Sequence, residues 1–328
     1  MRLHVRQNDR MTKLRAGVIG VGALGRYHAQ KYAALEGVEL YGVADVDFAR
    51  AQSVASEVGC LAIRDAAALL PNVDVASVVV PTEAHYGVAA ACLAAGVHTL
   101  VEKPIARTLA EADALIDAAR QRGLTLAVGH LERFNPAFVE LSALLDRPFF
   151  MEAERLGGFK GRGADVDVVL DLMIHDIDLM LAMMPSKVVS VSSCGFRVLT
   201  DLVDIANARF EFEDGAVADL SASRVSRTLV RKLRVFGTNF YASADLQLPE
   251  LRVERQPAAD GKGGLARSYE KPDALRTEIE AFVTAVRGGA ARIVSGDEGR
   301  NALALALEVN AGIRERLERL SQRSGGAA

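Results

Sequence analysis

The sequence predicts an α/β protein with an N-terminal doubly wound parallel sheet and a C-terminal α/β domain that carries a large, mostly antiparallel sheet. Short apolar strands alternate with helical segments over residues 14–129, which is the pattern of parallel strands joined by crossover helices. A glycine-rich turn follows the first strand. From residue 188 onward, strand patterns follow one another directly, as they do in antiparallel sheets.

Composition indicates a soluble globular protein. Half of the 328 residues are apolar, a quarter are charged and the net charge is −3, and this length suffices for two domains. The charge gives no electrostatic case for binding nucleic acid or an anionic membrane. No apolar run is long enough to span a bilayer, and the polar start holds no signal-peptide core. We therefore predict no nucleic-acid or membrane partner, and disordered tails at residues 1–13 and 322–328.

The chain contains three widely spaced cysteines, Cys60, Cys92 and Cys194. Their number is odd, and their spacing matches neither a disulfide framework nor a zinc site. We therefore expect a cytoplasmic location, where thiols stay reduced, and no bound metal.

Strand and helix patterns alternate regularly in the first half. Short apolar runs bounded by turn residues predict buried strands, and longer amphipathic or alanine-rich runs predict helices. The predicted strands are Leu14–Ile19, Glu39–Ala44, Val75–Val80, Val97–Val101 and Leu124–Val128. The predicted helices are Leu24–Leu35, Phe48–Val58, Arg64–Leu70, Glu83–Ala95 and Leu109–Arg122.

The glycine-rich turn has the sequence Gly-Val-Gly-Ala-Leu-Gly at residues 20–25. Gly20 permits a tight turn, Gly22 lets the backbone approach a pyrophosphate, and Gly25 lets the helix pack close to the strand. The start of the following helix, at Ala23 and Leu24, presents free N–H groups to phosphate. These five residues are predicted cofactor contacts, and a glycine turn that binds nothing is the alternative.

Asp45 ends the second predicted strand, twenty residues past Gly25. A carboxylate at this point can accept hydrogen bonds from both ribose hydroxyls of a dinucleotide. It would also repel a 2′-phosphate, so the sequence favours NAD over NADP.

Other polar residues follow the carboxyl ends of the predicted strands, where ligands of such sheets bind. Lys103 is held extended by Pro104, and a cation there could stabilise the alkoxide that develops as hydride leaves. The alternative is a solvated lysine, and for His85 and His130 a helix-cap or surface role. The remaining predicted cofactor contacts are Pro81, Thr82, His85, Glu102 and Lys103.

A long apolar run at residues 166–184 predicts a buried central helix. Asp171, His175 and Asp178 are spaced i, i+4 and i+7 and would share one stripe of it, while Asp176 would point away. Buried ionisable groups are costly unless they are paired or face a cleft. A carboxylate one turn before an imidazole can fix its tautomer and raise its basicity, as a general base requires. A buried polar network that only rigidifies the core is the alternative.

The second half is predicted to contain further helices and a run of strands. The strands are Phe149–Leu156, Val188–Leu199, Asp204–Glu213, Ala216–Arg224, Thr228–Phe236 and a pair around Tyr241 and Leu251; the helices are Arg133–Leu145, Asp273–Arg287 and Asp297–Leu320. The glycine-rich segment at residues 157–163 could be a lid, an anion clamp or an ordinary loop. The outer face of the sheet is a candidate surface for a homodimer or homotetramer.

The motifs Gly20-x-Gly22-x-x-Gly25, Asp45, Glu102-Lys103-Pro104 and Asp171-x-x-x-His175-Asp176 together resemble, in order and spacing, the Gfo/Idh/MocA oxidoreductases. The resemblance implies an NAD(P)-dependent sugar or polyol dehydrogenase. It also implies a Rossmann domain at residues 14–129 and a substrate-binding and oligomerisation domain at residues 130–321. In the family the corresponding lysine and histidine face the substrate, which carries over to Lys103 and His175, with Asp171 as the preceding aspartate.

A narrower resemblance lies in residues 129–136 and 169–178. They are similar to the branch of the family that oxidises the 3-hydroxyl of UDP-N-acetylglucosamine or its uronate. The non-uronate reaction supplies 2,3-diamino sugars for lipid A. The substrate contacts predicted on this basis are Arg133, Asn135, Arg162, His175 and Asp178, and the candidate diphosphate partners are Arg133, Arg155, Lys160 and Arg162.

These expectations combine into an NAD-dependent sugar dehydrogenase with His175 as base, Lys103 as electrostatic stabiliser and Asp171 as the group that orients the imidazole. Two alternatives stay open. One is a dehydrogenase of a non-nucleotide polyol or aldose, such as inositol. The other is a non-catalytic NAD-binding sensor.

Overall fold

The computed structural model describes residues 13–145, 147–159, 166–256, 264–270 and 273–325. Its contacts divide the chain into two compact units. Among the described residues, the first comprises 13–102 together with Glu111–Val128 and Glu278–Ile293, and the second comprises the others. The units are therefore interleaved along the sequence, unlike the contiguous predicted domains.

The first unit is built on a six-stranded parallel sheet in the order β3-β2-β1-β4-β5-β6, which confirms the predicted doubly wound fold. The strands are β1 Leu14–Ile19, β2 Val38–Ala44, β3 Leu61–Ile63, β4 Val75–Val78, β5 His98–Glu102 and β6 Leu126–Gly129. The helices are α1 Ala23–Ala33, α2 Phe48–Val58, α3 Ala66–Leu69, α4 Thr82–Ala94 and α5 Leu109–Arg122. The strand order reverses between β1 and β4, and ligands bind at such switch points. Strand β3 had not been predicted, because three residues are too few to show a strand pattern.

The second unit is built on an eight-stranded sheet in the order β14-β13-β12-β11-β7-β10-β9-β8. Its strands are β7 Phe150–Leu156, β8 Val188–Phe196, β9 Ile205–Phe212, β10 Val217–Ser223, β11 Val230–Gly237, β12 Phe240–Asp245, β13 Glu250–Arg255 and β14 Gly264–Ser268. Strands β7 and β10 pair in parallel, and the other pairs are antiparallel. The predicted mostly antiparallel sheet is confirmed, with β14 as an edge strand that had not been predicted.

One face of this sheet is covered by helices and forms the core of the second unit. On β9, Ala206, Ala208, Phe210 and Phe212 are buried while the residues between them are exposed, because successive side chains of a strand point to opposite faces. These residues pack in one cluster with apolar side chains of the covering helices. The helices of the second unit are α6 Pro136–Leu144, α7 Ile174–Met183 and α9 Gly296–Gly325, whereas most of α8 Ala274–Val286 belongs to the first unit.

The other face of the sheet is mostly exposed or half-buried. Here Phe236 makes edge contacts with Phe150 and Tyr241, with ring centroids 5.5 and 5.1 Å apart. Oligomerisation through this sheet stays a prediction. No helix in the described ranges is both long and apolar enough to cross a membrane.

The central helix is irregular where a single α-helix had been predicted. Residues Val169–Met173 form a π-helical turn, and α7 follows directly at Ile174. The Asp167 carboxylate supports the start of this segment because its Oδ1 accepts hydrogen bonds from the main-chain N–H groups of Val169 and Leu170, at 2.9 and 3.1 Å. A π-helical turn bonds residue i to i+5, so the α-helical i, i+4 geometry that relates Asp171 to His175 does not apply.

Candidate active site

The glycine turn at residues 20–25 has a backbone that requires glycine at two positions. Gly20 has a φ of +84°, and a Cβ there would lie 2.5 Å from the Val79 carbonyl oxygen. A Cβ on Gly25 would overlap the Gly20 carbonyl oxygen. At Gly22, in contrast, a Cβ would meet no atom within 4 Å. The turn is therefore tight on its inner side and open at Gly22, and α1 begins beyond it without a side-chain cap, as a pyrophosphate site requires.

Asp45 is buried beside this turn. Its Oδ2 accepts a hydrogen bond from the main-chain N–H of Val21 at 2.8 Å, and its Oδ1 accepts one from Asp47 at 2.9 Å. The Arg50 guanidinium lies 3.4 Å from both oxygens. A carboxylate has further lone pairs, so these bonds fix the orientation of Asp45 and leave acceptor capacity for ribose hydroxyls. Its contact with the ribose stays a prediction.

The predicted contacts at the end of β4 form a strand-to-helix turn. Pro81 precedes α4 and Thr82 is its first residue. His85 is buried, and its Nε2 lies 2.9 Å from the Val80 carbonyl oxygen. Since a carbonyl can only accept, Nε2 carries the proton. This hydrogen bond ties the helix start to the strand end, and the contact of His85 with the cofactor stays a prediction.

Glu102, at the end of β5, terminates a buried chain of polar side chains that sequence reasoning missed. His28 Nε2 lies 3.2 Å from Glu102 Oε1, and His28 Nδ1 lies 3.1 Å from Ser77 Oγ. The Tyr32 hydroxyl lies 3.1 Å from the same Ser77 oxygen. If His28 Nε2 donates to Glu102, the Ser77 hydroxyl donates to His28 Nδ1 and the Tyr32 hydroxyl donates to Ser77, so every hydrogen bond of the chain runs toward Glu102. The sequence feature that could have indicated this chain is a histidine on the apolar face of α1, three residues after Gly25.

Lys103 and Asp171 are in direct contact within the second unit, although 68 residues separate them. Lys103 Nζ donates a hydrogen bond to the Asp171 main-chain oxygen at 2.6 Å and lies 3.5 Å from the Asp171 carboxylate. Both side chains are half-buried. Within the described part of the chain, no hydrogen bond joins Asp171 to the His175 ring. The predicted partner of Asp171 was the imidazole, and the structure places the lysine there.

His175 lies at the second position of α7, next to this contact in the chain. Its Nδ1 is buried and has no hydrogen-bond partner among the described residues. The His130 ring packs edge-on against it, with centroids 6.1 Å apart. Burial lowers the pKa of His175 well below 6.5, and the positive charges of Lys103 and Arg155 lower it further. The ring is therefore neutral at pH 7, which is the state in which an imidazole can accept a proton.

Arg133 and Asp178 are both buried and form a bidentate pair. Arg133 Nε and Nη2 lie 2.6 and 2.8 Å from the two Asp178 oxygens. Asn135 caps α6, because its side-chain oxygen accepts from Ala137 N and its amide donates to the Leu246 carbonyl. All three residues thus have partners inside the protein, and their predicted substrate contacts stay predictions.

Asp176, which was predicted to point away from the polar stripe, is buried in a second ion pair. Arg155 donates to both Asp176 oxygens at 2.8 and 2.9 Å, and to Glu132 at 2.8 Å. Burial raises the pKa of Asp176, and the Arg155 charge opposes that rise. The pair anchors α7 to β7 immediately beside His175.

Two further expectations concern the glycine-rich segment after β7 and metal binding. Arg162, a predicted substrate contact, and the neighbouring Lys160 lie outside the described residues. Among the residues described, no group of three or more His, Cys, Asp or Glu side chains is arranged to hold a metal ion.

Comparison with known families agrees with this geometry. Residues 14–130 match a family described as "Oxidoreductase family, NAD-binding Rossmann fold", and residues 149–242 match its "GFO/IDH/MocA C-terminal domain". The chain belongs to the Gfo/Idh/MocA oxidoreductase family. The open backbone at Gly22 and the placement of Asp45 fit the cofactor of this family, NAD.

Individual relatives of this Gfo/Idh/MocA oxidoreductase cover nearly its whole length. UDP-N-acetylglucosamine 3-dehydrogenase of Acidithiobacillus ferrooxidans is 43% identical over 315 residues, which are 94% of this chain and 100% of the relative. Its solved structure has a TM-score of 0.86 and covers 92% of this chain and 97% of its own. Myo-inositol 2-dehydrogenase of Thermotoga maritima is 27% identical, over 92% of this chain and 97% of the relative.

The lowered pKa of His175 can be measured directly. We expect an NMR titration to find the His175 ring still neutral as the pH falls below 6.5, because burial and the neighbouring cations disfavour the imidazolium. The His175→Asn variant identifies the resonance. A protonation midpoint at or above 6.5 would contradict the described environment of the ring.

Proposed function

We propose that this protein is an NAD-dependent sugar dehydrogenase that oxidises the 3-hydroxyl of UDP-N-acetylglucosamine or a closely related UDP-sugar. The observation that carries the proposal is the contact of Lys103 with Asp171 beside a neutral, half-buried His175. This constellation supplies a base and a cation for oxidising an alcohol. The relative that is 43% identical across the chain, and named a UDP-N-acetylglucosamine 3-dehydrogenase, supports the choice of sugar.

In the proposed mechanism each residue has one task. When bound, NAD would supply the hydride acceptor for oxidation of the carbon that carries the hydroxyl. The His175 imidazole removes the hydroxyl proton, because the neutral ring has a free lone pair. The Lys103 ammonium stabilises the negative charge that develops on the oxygen. Asp171 holds Lys103 through its main-chain oxygen and its carboxylate, so that the ammonium does not need to reorganise during the reaction.

The residues that would hold NAD belong to the first unit. The main chain at Gly20, Gly22 and Gly25 would bind the pyrophosphate, and Asp45 would bind the adenosine ribose. Glu102, oriented by His28, would support the strand end that leads into Lys103. Pro81, Thr82 and His85 would shape the wall of the same pocket.

A second candidate is oxidation of a free cyclic polyol. It is favoured by relatives named inositol dehydrogenases, for example the myo-inositol 2-dehydrogenase at 27% identity. A neutral polyol and a sugar nucleotide need the same base and cation, so substrate recognition rather than chemistry distinguishes the two. A protein that binds NAD without transferring hydride is the remaining alternative.

The substrate can be tested by following NADH formation with purified protein. We expect kcat/KM for UDP-N-acetylglucosamine to exceed that for myo-inositol by at least about a hundredfold, with a 3-keto sugar nucleotide identified by NMR. Efficient oxidation of myo-inositol without turnover of any UDP-sugar would establish the second candidate. NAD binding without reduction by either compound would support the sensor.

The base can be tested with His175→Asn. We expect kcat to fall by about 10²–10⁴-fold, which is the usual contribution of general base catalysis, while the Kd for NAD stays close to that of the parent protein. Turnover near the parent level would remove His175 from the mechanism. Thermal melting of the variant serves as the control for folding.

Cofactor selection can be tested with Asp45→Asn. The neutral amide no longer repels a 2′-phosphate, and the Arg50 guanidinium 3.4 Å away becomes available to it. We expect the Kd for NAD to rise and the ratio of NAD to NADP affinity to fall by about tenfold. An unchanged ratio would reject the ribose role of Asp45.

A further inference from the structure

Two arginines face each other across neighbouring strands of the second sheet. Arg155 on β7 and Arg231 on β11 are directly opposed in the antiparallel register. Like charges in this position destabilise a sheet. Both guanidinium groups share one oxygen of the buried Glu132, at 2.8 Å from Arg155 and 3.2 Å from Arg231. The shared carboxylate compensates the repulsion between the two guanidinium groups and holds them on one side of the sheet.

The two arginines differ in how fully they are engaged. Arg155 is buried, and Asp176 and Glu132 occupy both arms of its guanidinium and its Nε. The Arg231 side chain is 38% exposed, and toward the residues that the structure describes it donates a hydrogen bond through Nη1 alone. A guanidinium has five N–H donors. Arg231 therefore keeps donors for a further partner, whereas Arg155 serves as the fixed half of the pair.

Arg231 lines the same cavity as Asp171, the residue that holds Lys103. This cavity measures about 200 Å³, and Gly157 and Gly158 leave one stretch of its wall without side chains. Arg224 also lines it, but that side chain is buried and donates to Asp204, the Val166 carbonyl and Thr200. Of the three arginines that the described chain places on the cavity, Arg231 is the exposed one.

We propose that Arg231 binds anionic oxygens of the substrate, in the cavity that also contains Asp171. The planar guanidinium fork matches phosphate and carboxylate oxygens. The inference rests on the proposed function, and it adds the feature by which a UDP-sugar is distinguished from a neutral polyol. Within that function the oxygens come from the diphosphate or, for a uronate substrate, from the sugar carboxylate.

A matched control lies on the same strand. Arg234 has a similarly exposed side chain and pairs with Glu152 at 2.7 Å. It lies three residues from Arg231, so the two side chains point to opposite faces of the sheet. Arg234→Gln removes the same charge from β11 without touching the cavity. Glu132 keeps its bond to Arg155 when Arg231 is replaced, so Arg231→Gln leaves no buried carboxylate unpaired.

The test measures UDP binding to the full-length protein by calorimetry, together with the KM values for UDP-N-acetylglucosamine, its uronate and NAD. For Arg231→Gln we expect the Kd for UDP and the KM for the sugar nucleotide to rise by about 10–100-fold, because a charge-assisted hydrogen bond is lost. The KM for NAD should not change. Arg231→Lys keeps the charge without the planar fork, so its Kd for UDP and its sugar-nucleotide KM should lie between those of the parent protein and Arg231→Gln. Arg234→Gln should match the parent protein.

The outcomes distinguish diphosphate oxygens from carboxylate oxygens as the ligand of Arg231. They also distinguish failure of the Arg231 inference from failure of the proposed function. Weaker binding of UDP itself assigns Arg231 to the diphosphate. An unchanged UDP affinity with a raised KM for the uronate alone assigns it to the carboxylate. Parent-like values for every ligand in a variant that still oxidises UDP-N-acetylglucosamine would overturn the inference and leave the proposed function intact. A parent protein that neither binds UDP nor oxidises a UDP-sugar would overturn the proposed function itself.

Discussion

The contact between Lys103 and the π-helical turn at Asp171 is the constraint on which the rest of the site depends. An ammonium group on a flexible stem has many conformations of similar energy. Here it is held at 2.6 Å by a main-chain oxygen and supported by a carboxylate from the same residue. In a regular α-helix the carbonyl at this position bonds to the N–H four residues on. The π-helical winding changes that pairing, and such turns are frequent at functional sites.

Around this contact, the charged groups of α7 are paired in a way that leaves His175 neutral. Asp176 and Asp178 are matched by Arg155 and Arg133 with two hydrogen bonds each. Buried ions persist only when they are compensated, and removal of one partner leaves an isolated charge. The pairs therefore fix the helix without supplying a carboxylate to the His175 ring, whose Nδ1 has no partner among the described residues. Burial and nearby cations then keep the ring unprotonated.

In the proposed function the two units have different chemical tasks. In the first, the backbone at Gly22 is open and Asp45 is oriented by two main-chain N–H groups, which suits a dinucleotide whose structure is shared by many enzymes. In the second, one cavity has Asp171, the partner of Lys103, and the partly exposed cation Arg231 on its wall. In the proposed function, the groups for oxidation and the group for substrate recognition are thus different residues of the same unit.

The sequence by itself determined the doubly wound fold, the glycine turn and the motifs around Lys103 and His175, because these depend on local rules. Gly25 is required by the close approach of the Gly20 carbonyl within the same turn, and strand and helix periods are visible over a few residues. Only the tertiary structure decided the partners of the charged groups. Asp171 binds a lysine 68 residues away, Arg133 binds an aspartate 45 residues away, and His28 reaches Glu102 across 74 residues. The π-helical turn and the short strands β3 and β14 were missed because segments of three to five residues are too short to show a clear period.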